Sequence, residues 1–287
     1  MLIEQSVLKG RYRIAHPMEE GGYGKVYRAY DQGLKIDVAI KETLYEHADF
    51  VKGFQREAEM LAPLQHEALP KVFDTFTLAD QAYIVMRYIE GENLGDYLKR
   101  QAERRVDVST ALTIVLPVLD ALEYLHSQQP SPIIHRDIKP SNIRLTPDEN
   151  VFLVDFGISR ASDTTTSTTS TPRAMTAGFS PIEQYEQDDP VDERSDIYAL
   201  GATLYYMLTG FVPHAAASRI NVDPVSPLHE VENSISPRMS EVVAKMMAIR
   251  AADRYQSINE VREALTTVAT PAPKIVPAPR DTAPPSW

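Results

Sequence analysis

Three stretches of this chain set chemically active residues close together. Residues 19–27 read Glu-Glu-Gly-Gly-Tyr-Gly-Lys-Val-Tyr, and Gly21, Gly22 and Gly24 let backbone N–H groups approach phosphate oxygens where a Cβ would obstruct them. An alternating run, Val26-Tyr-Arg-Ala-Tyr30, follows, so the glycines do not open a helix as a dinucleotide-binding loop does. Gly24-Lys25-Val26 also lacks the hydroxyl residue of a Walker loop. A hairpin lid over a nucleotide and an ordinary glycine hairpin both fit. Val38-Ala39-Ile40-Lys41 ends an apolar run on a lysine whose partial burial asks for an anion, and Glu57 can supply it; a strand-edge lysine in solvent is the alternative. Further on, His135-Arg-Asp-Ile-Lys-Pro-Ser-Asn142 and Val154-Asp-Phe-Gly157 bring two carboxylates, an amide and a cation into short segments.

The elements that must position these residues are legible as a change of period. From Tyr12 to about Tyr88 short apolar and polar runs alternate, broken by glycine turns, which predicts strands. One helical run interrupts them: Phe50, Phe54, Ala58, Leu61 and Leu64 recur at helical spacing, with Glu57 and Glu59 between. From about Leu94 the helical period dominates. Ser109 is the expected N-cap of one long helix, Asp192 to Leu208 form another, Ser236-Pro237 starts a third, and Ser257 to Glu260 fits a capping box. The expectation is an α+β, bilobal chain: a small β-rich lobe over residues 1–90 with one regulatory helix, a larger helical lobe over 91–268, and a proline-rich tail over 269–287. The tail holds six prolines within residues 271–287 and no amphipathic period, as extended or disordered chain does.

Taken together and in order, these motifs resemble the eukaryotic-type (Hanks-type) Ser/Thr protein kinases, over about residues 12–268, in a style similar to bacterial members. That chemistry needs a cation on the phosphates, two oxygen ligands for a divalent ion and a carboxylate beside the incoming hydroxyl. The resemblance implies that Lys41 contacts the α/β-phosphates of ATP and pairs with Glu57, and that Asn142 and Asp155 hold Mg²⁺, with Mn²⁺ as the alternative. It makes Asp137 the base for the substrate hydroxyl, Lys139 a γ-phosphate contact, and Thr176 a hydrogen-bond partner of both. Met86, Arg87 and Ile89 resemble the gatekeeper and hinge, Asn93 lies by the ribose, and Val26 and Ala39 roof the purine. Glu183 is expected to pair with Arg254, and Asp196 to anchor the catalytic loop. The segment Asp137-Ile-Lys-Pro-Ser-Asn142 is similar to the Ser/Thr-specific loop, so protein Ser/Thr hydroxyls are the expected acceptors. A nucleotide-binding scaffold without turnover is the competing reading, but it would normally have lost Lys41, Asp137, Asn142 or Asp155, and none is lost.

The chain departs from the pattern at three places. Glu19 stands where the loop has its first glycine, Ile182 replaces the proline before Glu183, and Arg144 occupies the apolar floor beneath adenine, where its stem can pack and its guanidinium can stack on the purine or reach the solvent edge. Residues Ser162 to Thr171 carry nine hydroxyls in ten positions, and Arg136 and Arg160 can receive a phosphate, so autophosphorylation of this loop is expected.

Composition narrows the remaining classes. No cysteine occurs in 287 residues, which excludes disulfide scaffolds and cysteine-ligated metal. A net charge of −11 argues against a dedicated nucleic-acid partner. No run of about 18–20 uninterrupted apolar residues and no signal-peptide pattern is evident. The expectation is a soluble, cytoplasmic chain without a membrane segment, acting on protein substrates and on itself, with homodimers as a self-partner.

Overall fold

The computed structural model describes residues 2–20, 24–43, 54–55, 58–78, 81–101, 103–155, 176–185 and 191–269. Nine strands appear among them: β1 (Val7–Leu8), β2 (Tyr12–Glu20), β3 (Gly24–Asp31), β4 (Ile36–Thr43), β5 (Val72–Leu78), β6 (Gln81–Arg87), β7 (Glu92–Asn93), β8 (Ile143–Leu145) and β9 (Val151–Leu153). The first six form one antiparallel sheet in the order β1-β2-β3-β4-β6-β5, and the last three a small sheet, β7-β8-β9. The period-two pattern decides the large sheet's faces. Tyr27, Ala29, Val38, Ile40, Tyr83 and Val85 pack on one side with Tyr12 and Ile14 as a separate small core. Val26 lies opposite Lys41, Lys41 opposite Ile84 and Ala39 opposite Met86, so these five residues share the other face.

The helical half is built from α1 (Leu94–Arg100), α2 (Val108–His126), α3 (Glu193–Thr209), α4 (Leu228–Val231), α5 (Pro237–Met246) and α6 (Ile258–Ala269). Helix α3 is buried on nearly every side, which makes it the axis of this lobe. Gly201 lets α5 approach it, since an added Cβ would lie 2.7 Å from the Met246 Cβ. Gly210 ends α3 in the left-handed region, φ +75°, with its N–H donating to Tyr206 O.

Two local expectations change. Helix α2 is capped by Asp107, two residues before Ser109, because the Asp107 carboxylate accepts both the Thr110 N–H at 2.9 Å and its hydroxyl at 3.0 Å. The capping box of α6 closes only in part: Ser257 Oγ accepts the Glu260 N–H, while the Glu260 carboxylate accepts the N–H of Gln256. Val108–His126 is long and apolar enough on average to cross a membrane, although Asp120 and Glu123 interrupt its apolar run. Here Ile114, Val115, Val118, Leu119, Leu122 and Leu125 belong to the main core, the ordinary fate of a central helix.

Of the helical run over residues 50–64, Phe54, Ala58, Leu61 and Leu64 are described, and all four are buried in the main core with Ile84. Phe50, Glu57, Gly21, Gly22, Arg160 with the hydroxyl-rich loop, and residues 270–287 of the proline-rich tail lie outside the described residues.

Candidate active site

Lys41 projects from β4 onto the face shared with Val26 and Ala39, and its ammonium lies 2.7 Å from Asp155 Oδ1. The lysine is almost wholly buried, whereas the Asp155 side chain keeps 37% of its surface open. Burial pushes the Asp155 carboxyl up, but the ammoniums of Lys41 and Lys139 pull harder and hold it below the ordinary carboxylate value. The partner expected for Lys41, Glu57, falls outside the described residues.

The segment from His135 to Asn142 supplies the second group. Asp137 Oδ2 sits 2.9 Å from Lys139 Nζ and accepts from Asn142 Nδ2 at 3.0 Å. Asn142 Nδ2 also donates to Asp137 O at 2.7 Å, and Lys139 Nζ to Thr176 Oγ1 at 3.2 Å. Asp137, Lys139, Asn142, Thr176, Lys41 and Asp155, scattered over 136 positions of sequence, therefore meet in one cluster. Pro140 starts a short 3₁₀ turn to Asn142, and the Val154 N–H donates to Asn142 O, which ties this loop to the start of Val154-Asp155.

Two residues here carry backbone strain. Arg136 has φ +67° and Asp155 φ +59°, left-handed conformations that cost of order 1–3 kcal/mol each in residues with a Cβ. Buried groups hold the first. Asp196, wholly inside α3, accepts the N–H groups of His135 and Arg136 at 2.8 Å each and faces His126 Nε2 at 2.9 Å. Burial raises the Asp196 carboxyl, and His126, His135 and the Arg136 amide outweigh it and bring it below its ordinary value. Burial pushes His135 down, and its Nδ1 accepts the Asp137 N–H at 3.4 Å. Gln184 Nε2 donates to Arg136 O at 3.0 Å.

The expected brace is present: Arg254 Nη1 and Nη2 grip Glu183 Oε1 and Oε2 at 2.6 and 3.0 Å, and Ser195 Oγ donates to Glu183 Oε1.

Of the residues expected to border the purine, Ala39 opposes Met86, and Ile89 is buried. The Arg87 N–H donates to Lys71 O, so of its two backbone polar groups the N–H is already engaged. Asn93 caps α1, accepting the Asp96 N–H at 2.9 Å and donating to the Asp96 carboxylate at 2.8 Å, so a ribose contact there competes with the cap. Arg144 lies opposite Asn93 in the small sheet and turns its guanidinium to Gly91 O at 2.8 Å. Gly91 is held at φ +129° with Leu145 O only 2.0 Å from where a Cβ would be, so no other residue fits.

A model of the protein kinase domain matches residues 12–266. The chain belongs to the protein kinase family. The PknB serine/threonine-protein kinases of Mycobacterium tuberculosis and Mycobacterium leprae are each 35% identical to it, over 288 and 285 residues, covering 95% and 94% of this chain. The chain spans 45% of the length of either. Among solved structures, PpkA-294 in its apo form is 28% identical with a TM-score of 0.77, covering 92% of this chain and 99% of its own. The PknI kinase domain of M. tuberculosis is 26% identical with a TM-score of 0.75, covering 94% and 99%.

A protein kinase domain implies ATP and a divalent ion. No group of three or more His, Asp and Glu side chains that could cage a metal occurs among the described residues of this kinase domain. What it offers is one amide oxygen, from Asn142, and one carboxylate, from Asp155, both hard oxygen donors. That sparse set fits Mg²⁺, which keeps water and phosphate oxygens in its shell. Residues that sequence reasoning did not single out are His126, Ser195, Gly91 and Gln184. Each acts through a backbone group or carboxylate far away in sequence, so no local pattern marks it.

Proposed function

We propose that this kinase domain transfers the γ-phosphoryl group of ATP to serine and threonine hydroxyls of proteins. The observation that carries the reading is the Asp137 carboxylate held between Lys139 Nζ at 2.9 Å and Asn142 Nδ2 at 3.0 Å, with Asn142 Nδ2 also 3.4 Å from Asp155 O and Asp155 paired to Lys41. Asp137 orients the acceptor hydroxyl and takes its proton as the new P–O bond forms and the bond to the β,γ-bridging oxygen breaks, leaving ADP. Lys139 faces the transferred group's negative charge and is steadied by Thr176. Lys41 presents its ammonium to the phosphates. Asn142 and Asp155 would hold the Mg²⁺, which supplies further charge neutralisation when bound.

The acceptors we assign are proteins, this chain's own hydroxyl-rich segment Ser162–Thr171 among them. Arg136 and Arg160 provide guanidinium groups for the resulting phosphate. The 35% identity to PknB supports the Ser/Thr assignment.

Radiolabelled ATP with a generic basic protein substrate, comparing the chain with Asp137→Asn, tests the reading. Loss of a general base costs about 10²–10⁴-fold, with label on serine and threonine in the unaltered protein. Equal incorporation by both proteins removes Asp137 from its role. Mass spectrometry after incubation with Mg-ATP decides whether Ser162–Thr171 is an acceptor.

A further inference from the structure

The peptide plane joining Arg136 to Asp137 is gripped at both of its polar atoms. Its carbonyl, Arg136 O, accepts from Gln184 Nε2 at 3.0 Å, and its N–H, on Asp137, donates to His135 Nδ1 at 3.4 Å. The preceding N–H groups of His135 and Arg136 are fixed by Asp196. Arg136 at φ +67° would otherwise relax by turning that plane, and Asp137 would turn with it. The carbonyl end of the clamp comes from outside the loop. Gln184 is buried, 8% exposed, and ends the short 3₁₀ turn Ile182–Gln184, a few residues after Thr176. Its neighbour Glu183 faces Arg254 and Ser195, so that turn is locked to the helical lobe on one side while Gln184 reaches the catalytic loop on the other.

We propose that Gln184 is a positioning residue for the general base: by donating to Arg136 O it fixes the peptide plane from which Asp137 projects and ties the setting of that carboxylate to the placement of the segment containing Thr176. This rests on the protein kinase reading above for its catalytic consequence. Its geometric content stands apart from it. The side chain needed is a neutral donor of this length. Methionine keeps the volume and loses the donor, and glutamate keeps the shape and turns a donor into an acceptor facing a carbonyl.

The test uses the full chain with Gln184→Met and Gln184→Glu, each alone and with Asp137→Asn. Misplacing a base by a fraction of an ångström to 1 Å costs up to about 100-fold, so kcat is expected to fall about 10- to 100-fold with the KM for ATP unchanged. In the Asp137→Asn background Gln184→Met is expected to add nothing, because there is no base left to position. Hydrogen exchange at the Asp137 amide, read by NMR without nucleotide, is expected to quicken at least tenfold while amides of α3 keep their protection. The proposal is overturned by an additive loss in the Asp137→Asn background, by KM and kcat moving together, by unchanged exchange at Asp137, or by loss of protection spreading through α3. A wild-type chain that transfers no phosphate sinks the kinase reading, and the exchange measurement still decides the clamp.

Discussion

Replacing Arg254 by methionine is expected to remove a large part of this domain's stability. The five guanidinium N–H groups each have an acceptor: Nε donates to Ala248 O at 2.8 Å, Nη1 to Glu183 Oε1 and Arg194 O at 2.6 and 2.9 Å, and Nη2 to Glu183 Oε2 and Ile249 O at 3.0 and 2.8 Å. The Arg254 side chain is 0% exposed and that of Glu183 4%. Methionine fills similar space but takes both guanidinium bonds from the Glu183 carboxylate, leaving Ser195 Oγ as its hydrogen-bond partner among the described residues, and a buried charge without its counter-ion costs about 3–5 kcal/mol. At about 2–4 °C per kcal/mol for a domain near this size, the melting temperature drops about 6–20 °C. Urea unfolding at pH 7 measures the free energy directly, and the loss should be insensitive to 0.5 M salt because the pair is out of solvent. The double variant Glu183→Leu with Arg254→Met removes the stranded charge and is expected to be more stable than Arg254→Met alone. A single-variant loss below about 1 kcal/mol, the size of an exposed pair, refutes the reasoning. So does a double variant as unstable as the sum of the two singles.

Three further outcomes follow from other contacts. Gly201→Ala forces a Cβ against Met246 at 2.7 Å and separates α3 from α5, at about 1–3 kcal/mol of overpacking in urea unfolding; a neutral effect would mean that the helices part freely. Arg144→Leu breaks the 2.8 Å bond from its guanidinium to Gly91 O, so urea unfolding is expected to show a loss of about 1.5–3 kcal/mol, and an unchanged stability would show that this bond does not hold the small sheet. Because the folded state holds the Asp196 carboxyl below its ordinary value, its contribution is complete above about pH 4 and fades as pH drops through the lower folded value. The stability gap between the unaltered chain and Asp196→Asn should therefore shrink between pH 7 and pH 3, and a constant gap would show that the carboxylate's charge is not what the loop amides bind.

Much of the site could be read from the residues alone, because the kinase motifs are local. A lysine at a strand end, the Asp137-to-Asn142 segment and an aspartate before Phe-Gly each lie within a few positions, and the change from period two to helical period places strands before helices. The pairings that the resemblance implied, Glu183 with Arg254 and Asp196 with the loop at His135–Arg136, are present too. Side-chain direction was not legible. The Arg144 guanidinium had two readings, stacking on the purine or reaching the solvent edge, until the register of β7 on β8 set it beside Gly91. Asn93 was expected at the ribose and is bonded at both ends to Asp96, a contact decided by where α1 starts. Ser109 was passed over as a cap because Asp107 can take two hydrogen bonds at once. Gln184 and His126 act on partners 48 and 70 residues away, and nothing in their own neighbourhoods marks them. Local order along the chain thus determined which chemistry is present, because the reacting groups come in short runs. Only the packed structure decided how firmly those groups are held, because the atoms that hold them are backbone amides and carbonyls, which every residue carries and only the fold can aim.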